Sequence, residues 1–176
     1  MEMSQIEIKK ILFATDLSES SRYAFAHAIN MANHLGAGLT ILHVMAETQS
    51  LDTSIGYFIG KEQWHKIKQQ REQEAAETLI GKKRNDLAIK DALAKYCDGA
   101  RECLLDRSFV TDEIIVGRGD PAKQILKYAE DKYCDLIVVG SHGQGSLTGA
   151  MMGSTAKRVL KKSKVPVLVV QQHEDK

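Results

Sequence analysis

Residues 135–155 read Asp-Leu-Ile-Val-Val-Gly-Ser-His-Gly-Gln-Gly-Ser-Leu-Thr-Gly-Ala-Met-Met-Gly-Ser-Thr and combine three local patterns. The apolar run 136–139 is typical of a short strand that is buried on both faces of a sheet. Glycines then recur as far as Gly153, and Ser154 opens a stretch with helical periodicity. A strand, a glycine-rich loop and a helix start together predict an anion site, usually for phosphate. The reason is that a helix start presents unpaired N–H groups and the positive end of a dipole.

The spacing of these glycines excludes two common phosphate-binding loops. A Walker loop requires Gly-x-x-x-x-Gly-Lys-Ser/Thr, and the sequence contains no such run. A dinucleotide fingerprint requires Gly-x-Gly-x-x-Gly, and the stretch 143–148 lacks its third glycine. The pattern that is present is Gly140-x-x-Gly143, then nine residues, then Gly153-Ser154.

This pattern resembles the nucleotide-binding signature of the universal stress protein family, Gly-x2-Gly-x9-Gly-Ser/Thr, at every fixed position. An unoccupied flexible loop is the alternative interpretation of the same glycines. The resemblance extends to other parts of the chain: 11–18, 42–44, 117–121 and 164–170. It implies a five-stranded parallel α/β fold that is Rossmann-like and adenine-nucleotide α-hydrolase-like, usually in a homodimer.

The rest of the chain, taken by itself, predicts the same fold class. Five apolar segments have the character of strands, at 6–14, 39–45, 110–116, 136–139 and 165–170. Helical segments alternate with them: from Ser18 to a stop at Gly36, over 61–83, from Asp120-Pro121 to Tyr133, and from Ser154 onward. This alternation predicts a single domain over 1–176, built on a doubly wound parallel sheet. If its strand order is 3-2-1-4-5, Asp16 and Gly140 face one crevice.

Two further segments lie between the second and third predicted strands. Residues 84–108 contain apolar positions at helical spacing, but Gly99 interrupts them. Residues 46–60 are expected to form a loop around Tyr57 and Phe58. That loop acts either as a lid on a nucleotide pocket or as a surface loop that tucks its aromatic side chains onto the core.

Composition limits the classes of partner. The 176 residues carry a net charge of +1 and are 27% charged and 43% hydrophobic, which gives no sign of nucleic-acid or membrane binding. The N-terminal residues lack the apolar region of a signal peptide, so we expect a cytoplasmic protein. Cys97, Cys103 and Cys134 are odd in number, which fits a reducing compartment. Buried thiols are the favoured interpretation of these cysteines, and a thiol switch is the alternative.

The resemblance implies an ATP site of eleven residues, with the nucleotide bound either alone or with Mg or Mn that it carries. Adenine would contact Asp16 and the Val44 backbone in a pocket lined by Ala14 and Thr15. Ribose and the inner phosphates would contact Gly140, His142 and Gly143. The outer phosphates would contact Gly153, Ser154, Thr155 and Ala156, although the family often has a hydroxyl side chain where this chain has Ala156. No catalytic residue and no metal ligand is predicted.

Several of these residues have a second interpretation. Asp16 would also serve as a cap of the first helix, and His43 is typical of a core histidine. His142 suits a general base or a loop histidine that touches ribose, and Ser141-His142 is adjacency rather than a nucleophile–base pair. The basic run 157–164 either attracts phosphate or a partner, or is a solvated helix end.

The function predicted from the sequence is an ATP-binding regulatory or stress-response protein. Nucleotide occupancy or slow hydrolysis would change its conformation or its choice of partner. The alternatives are a low-turnover ATPase or nucleotidyl-transfer enzyme on the same fold, and a structural dimer that binds no ligand. Pro166 cannot donate to a strand ladder, so residues 165–170 are expected at a sheet edge, where they would pair with a second copy of the chain.

Overall fold

Five parallel strands form one sheet in the order β3-β2-β1-β4-β5. The computed structural model describes residues 6–45, 55–56, 58–74, 81–103, 111–143 and 152–171. The strands are β1 (Lys10–Thr15), β2 (Gly38–Met45), β3 (Thr111–Arg118), β4 (Leu136–Gly140) and β5 (Val167–Val170). The α/β class and the strand order 3-2-1-4-5 are thus confirmed.

Helices connect the strands and cover both faces of the sheet. They are α1 (Glu19–Leu35), α2 (Lys61–Glu74), α3 (Gly81–Cys103), α4 (Pro121–Asp131) and α5 (Ser154–Lys162). The Ser18 side chain caps α1 by accepting a hydrogen bond from the Ser21 N–H, and α1 ends where Gly36 adopts the left-handed conformation at φ 63°. Both ends of α1 therefore lie where the sequence predicts them.

The region between β2 and β3 is more helical than expected. In the helix predicted over 61–83, residues 61–74 belong to α2 and 81–83 to α3, and 75–80 lie outside the described residues. Gly99 does not interrupt α3, which continues to Cys103. A glycine costs a helix interior about 1 kcal/mol, and the burial of an apolar stripe on α3 that includes Ile89 and Leu93 offsets this cost.

The segment expected to be a loop, 46–60, contains helical turns at 55–56 and 58–59. Phe58 is 1% exposed, and its ring centroid lies 4.6 Å from that of Tyr96 on α3. Phe58 therefore packs onto the core, as the second interpretation of this segment holds. Tyr57 and residues 46–54 lie outside the described part of the chain.

The core consists of two apolar layers, one on each face of the sheet. Alternate side chains of the central strands, such as Phe13 and Ile41, pack with α1, α2 and α3. Their neighbours on the other face, such as Leu12 and Leu42, pack with α4 and α5. Burial on both faces explains why these strands read as continuous apolar runs. Among the helices of the described residues, none has the length and apolar content needed to cross a membrane.

The strand order reverses between β1 and β4, which are hydrogen-bonded neighbours. β2 lies on the other side of β1, and β5 lies on the other side of β4. The connections leaving β1 and β4 therefore run to opposite sides and open a crevice at the carboxyl ends of the two strands. Asp16 follows β1 and Gly140 ends β4, so both residues lie at this crevice.

Candidate functional site

A cleft of about 380 Å³ occupies this crevice. All eleven residues that the sequence suggests for a nucleotide site line it: Ala14, Thr15, Asp16, Val44, Gly140, His142, Gly143, Gly153, Ser154, Thr155 and Ala156. The structure thus brings every one of them together from four separate segments. Their role in binding a nucleotide stays a prediction.

The Asp16 carboxylate is held in place by the start of α1. Its Oδ1 accepts hydrogen bonds from the Ser21 hydroxyl at 2.5 Å and from the Ser18 N–H at 3.1 Å. The side-chain cap of α1 is Ser18, so capping the helix is not the role of Asp16. Oδ2 lies on the side of Gly143, where an added Cβ would be 2.6 Å away from it. The carboxylate is therefore fixed at the floor of the cleft.

Gly140 and Gly153 are needed for close approach of neighbouring segments. A Cβ on Gly140 would lie 3.2 Å from Oγ of Ser20, and one on Gly153 would lie 3.2 Å from the carbonyl oxygen of Ser141. The Gly153 N–H donates to that same carbonyl at 2.7 Å. This bond ties the start of α5 to the end of β4, and it places the glycine-rich turn against the helix start.

The start of α5 offers backbone donors to the cleft. Gly153 occupies the N-cap position and supplies no side-chain cap. Ser154, Thr155 and Ala156 form the first turn and line the cleft. Their N–H groups have no acceptor four residues earlier within the helix, so an anion in the cleft is their natural partner. Ala156 has no polar side chain, so at this position only the backbone N–H would contact an anion.

The other end of the cleft is apolar. Leu42 and Val44 of β2 line it together with Ala14 of β1, Val139 of β4 and Ile125 of α4. Leu42 and Val44 are two positions apart on β2 and therefore lie on the same face of the sheet, where both side chains project toward α4. A cleft with one apolar end and one end rich in N–H donors suits a flat ring that carries phosphate groups.

The two histidines near the cleft lie in different environments. His142 lines the cleft, and its Nδ1 shares a 2.8 Å hydrogen bond with Oγ of Ser141. The side chains of Ser141 and His142 are therefore in contact, whereas the sequence alone indicated only that the two residues are adjacent. Ser141 is only 4% exposed.

His43 is a core residue. Its Nδ1 donates to the Thr15 carbonyl at 2.9 Å, and its Nε2 has no partner among the described residues. Burial lowers the pKa of His43, while the bond to Thr15 and the charge of Asp16 act in the opposite direction. The interpretation of His43 as a core histidine is therefore right, although only one of its two ring nitrogens is satisfied.

The basic run 157–164 is mostly solvated, and two of its side chains form ion pairs. Lys157, Lys161 and Lys162 are exposed, whereas Arg158 makes a two-pronged ion pair with Asp120 at 2.8 and 2.9 Å. The exposed Lys164 pairs with Glu130 at 2.9 Å. Among the described residues, no three His, Cys, Asp or Glu side chains gather in a metal-binding arrangement.

Sequence reasoning missed six residues that also line the cleft: Ser21, Leu42, Pro121, Ile125, Val139 and Ser141. A signal existed for the two residues on α4. This helix directly follows β3, so its start lies at the same sheet edge as the ends of β1 and β4. The Asp120-Pro121 helix start thus implied a second wall of the cleft.

Known proteins are similar to this chain over nearly its whole length. The model of the universal stress protein family matches residues 7–171. The chain is 32% identical over 165 residues to universal stress protein MJ0577 of Methanocaldococcus jannaschii, which covers 93% of this chain and 95% of that protein. It is 34% identical over 164 residues to universal stress protein YxiE of Bacillus subtilis, which covers 92% of this chain and 97% of that one.

Solved structures share the fold. The structure of MJ0577 matches with a TM-score of 0.63 at 30% identity, over 97% of this chain and 100% of that chain. A universal stress protein in complex with cAMP matches with a TM-score of 0.60 at 20% identity, over 94% and 98%. One from Archaeoglobus fulgidus in complex with dAMP matches with a TM-score of 0.53 at 16% identity, over 94% and 98%. The resemblance seen in the signature glycines is confirmed along nearly the whole sequence, and the chain belongs to the universal stress protein family.

Proposed function

We propose that this chain is an ATP-binding regulatory protein of the stress response, in which nucleotide occupancy changes conformation or partner choice. One observation carries the proposal: the first turn of α5, with no side-chain cap, opens onto the cleft whose other end is apolar. Backbone N–H groups and the helix dipole favour a phosphate chain at one end. The apolar wall formed by Leu42, Val44 and Ile125 favours a flat ring at the other.

The relatives support an adenine nucleotide. The solved complexes with cAMP and dAMP come from proteins with the same fold. Both of those ligands carry a single phosphate, whereas the signature that ends in Gly153-Ser154 provides a helix start for further phosphates. ATP, alone or with Mg or Mn that it carries, is therefore the ligand we propose.

In this proposal the eleven residues keep the roles that the family resemblance gives them. Asp16 and the Val44 backbone contact adenine, in a pocket lined by Ala14 and Thr15. The glycine turn at 140–143, including His142, surrounds ribose and the inner phosphates. The first turn of α5, from Gly153 to Ala156, binds the outer phosphates.

We expect ATP hydrolysis to be slow or absent. Among the described residues, the first turn of α5 offers the outer phosphates backbone N–H groups and the hydroxyls of Ser154 and Thr155, and no histidine, carboxylate or lysine that would act as a general base. Turnover should therefore fall far below the ~10 s⁻¹ that is typical of enzymes. A low-turnover ATPase is the second candidate, and the contact between Ser141 and His142 in the cleft is the observation that favours it.

We further propose that two copies of the chain associate through residues 165–170, in the cytoplasm. β5 lies at the end of the sheet order, and among the described strands it pairs with β4 alone. Its apolar side chains Val167, Leu168 and Val169 are all half-exposed. An apolar edge strand is prone to pair with another strand, and a two-fold axis lets it pair with its own copy.

Mass analysis of nucleotide released by denaturing the purified chain tests the ligand directly. ATP or ADP in the supernatant, near one equivalent per chain, is the expected result. Calorimetric titration of ATP into nucleotide-free protein provides the affinity. A protein that releases no nucleotide and shows no binding heat with ATP, while folded by circular dichroism, contradicts the proposal.

A further inference from the structure

The starts of α4 and α5 are joined by one carboxylate. Asp120 is the N-cap of α4, and its Oδ1 accepts from the Lys123 N–H at 2.9 Å. The same carboxylate receives Nη1 of Arg158 at 2.8 Å on Oδ2 and Nη2 at 2.9 Å on Oδ1. Three hydrogen bonds thus converge on one side chain at the junction of two helices.

The two helix starts joined in this way both contribute to the lining of the cleft. Pro121 directly follows Asp120, and it lines the cleft together with Ile125 on the next turn of α4. Arg158 lies one helical turn after Ser154, which lines the cleft from α5. Neither Asp120 nor Arg158 is itself part of the lining. The pair therefore acts on the cleft only through the helices that it connects.

We propose that the Asp120–Arg158 pair is a positioning device that fixes the start of α5 relative to α4 and thereby determines the affinity of the cleft for the phosphate groups of ATP. This inference rests on the proposed function, since it assumes that the first turn of α5 binds phosphate. Asp120 and Arg158 are positioning residues and make no contact with the ligand.

The geometry of the pair is of the kind that holds an orientation. Both side chains are partly exposed, at 36% for Asp120 and 42% for Arg158, and most such surface pairs contribute little. A bidentate arginine–carboxylate pair is the exception, because two parallel N–H···O bonds fix both distance and angle. The Arg158 guanidinium, followed by the Lys123 N–H, lowers the pKa of Asp120, so the carboxylate stays ionised and keeps both bonds at neutral pH.

An effect of charge and an effect of positioning predict opposite changes in the affinity for ATP. The pair has no net charge, so it contributes little net attraction for an anion. Removing the Asp120 charge would leave Arg158 unpaired and would strengthen ATP binding if charge decided the affinity. If positioning decides it, the same change weakens ATP binding. Lysine at 158 keeps the charge but cannot make the planar two-pronged contact, so it separates the two effects again.

The experiment is a double-mutant cycle with Asp120→Asn, Arg158→Lys and the double variant, titrated with ATP and with adenosine. Asparagine at 120 still caps α4, so the helix start is preserved. We expect each single variant to bind ATP about two- to fivefold more weakly, the range that a well-formed surface pair supports. The double variant should match the single variants, because both substitutions break the same contact. Adenosine, which has no phosphate, should bind all four proteins equally.

The matched control is the exposed pair between Lys127 and Asp131 on α4, at 2.5 Å, which joins no second helix. Lys127→Gln should leave both affinities unchanged. If Asp120→Asn unfolds at a lower temperature than wild type, Asp120→Ser replaces it in the cycle, because serine is also a good N-cap residue.

Three results would overturn the inference: unchanged or tighter ATP binding in the single variants, losses that add up in the double variant, or an equal loss for adenosine. The titrations of wild type alone test the proposed function. If wild type binds adenosine but not ATP, or binds neither, the proposed function is wrong, whatever the variants show.

Discussion

Asp16 and Gly143 approach so closely that a Cβ atom added to Gly143 would lie 2.6 Å from Oδ2 of Asp16. The two residues come from distant parts of the chain and meet because β1 and β4 are neighbours in the sheet, with Ala14 opposite Val139. Gly143 has no positive φ, so the requirement for glycine here is one of space and not of backbone conformation. The glycine turn can approach the carboxylate only without a side chain.

Gly143→Ala should therefore weaken ATP binding. The Asp16 carboxylate cannot move away freely, because Ser18 and Ser21 hold its other oxygen. Either the carboxylate or the turn shifts, and we expect a loss of about tenfold in affinity, as for one displaced charge-assisted hydrogen bond. Calorimetric titration measures the loss.

Gly56→Ala is the control for this prediction. A Cβ at Gly56 would meet Cγ of Lys61 at 3.4 Å, an ordinary contact, and Gly56 does not line the cleft. Its affinity for ATP should equal that of wild type. A folded Gly143→Ala variant with wild-type affinity would show that the contact with Asp16 has no part in binding.

Gly153→Val should nearly abolish ATP binding while the fold persists. A Cβ at 153 already lies 3.2 Å from the Ser141 carbonyl and 3.9 Å from the Gly143 N–H, so two further methyl groups fill the space beside the helix start. Ser154→Ala should be milder, because it removes one charge-assisted hydrogen bond of roughly 1.5–3 kcal/mol, or about ten- to a hundredfold in affinity.

AMP provides the internal comparison for these two variants. It lacks the outer phosphates, so it should bind wild type more weakly than ATP does, and Ser154→Ala should change its affinity little. Circular dichroism checks that both variants are folded. Equal ATP affinity in wild type and folded Gly153→Val would place the phosphate site elsewhere.

His43 should make the protein less stable in mild acid. Burial lowers its folded-state pKa below the ordinary value of 6.5, so the unfolded chain binds the proton more readily. The stability that neutral His43 provides is complete above about pH 6.5 and is lost as the pH falls through the folded pKa. Within that window the free energy of unfolding should drop by at most about 1.4 kcal/mol per pH unit for this one group.

His43→Asn isolates this effect in urea denaturation between pH 5 and pH 8. Asparagine can donate to the Thr15 carbonyl in place of Nδ1, and it does not titrate. The difference in unfolding free energy between wild type and variant should shrink toward low pH. The exposed His27 offers a control, since His27→Gln should retain the acid-dependent loss of wild type. A pH-independent difference at His43 would count against the prediction.

Val169→Pro should convert the proposed dimer into a monomer. The carbonyls of Pro166 and Val170 accept bonds from Ile137 and Ser141, so by alternation the backbone groups of Val169 face away from β4. Proline removes that outward N–H and leaves the ladder with β4 intact. Light scattering gives the mass in solution. Val169→Ala, which keeps the N–H, should remain dimeric, and a dimeric proline variant would exclude this edge as the interface.

Much of the fold was predictable because its signals are local. The alternation of apolar runs with helical periodicity depends on neighbouring residues only, and it gave all five strands. The caps at Ser18 and Asp120 are local for the same reason. The continuation of α3 past Gly99 to Cys103 was not predictable, because glycine is a poor helix former. Burial of the apolar stripe on α3 offsets that cost, and burial depends on the whole chain.

By itself, the sequence determined the α/β class, the glycine signature and the family, because residue spacing and periodicity are properties of the chain. Tertiary structure alone decided that Oδ2 of Asp16 faces Gly143 and that Arg158 joins Asp120 across two helices. Each of these contacts depends, to within a few tenths of an ångström, on the distance between segments far apart in sequence. Such distances are set by how the sheet and helices pack, and no local pattern of residues records them.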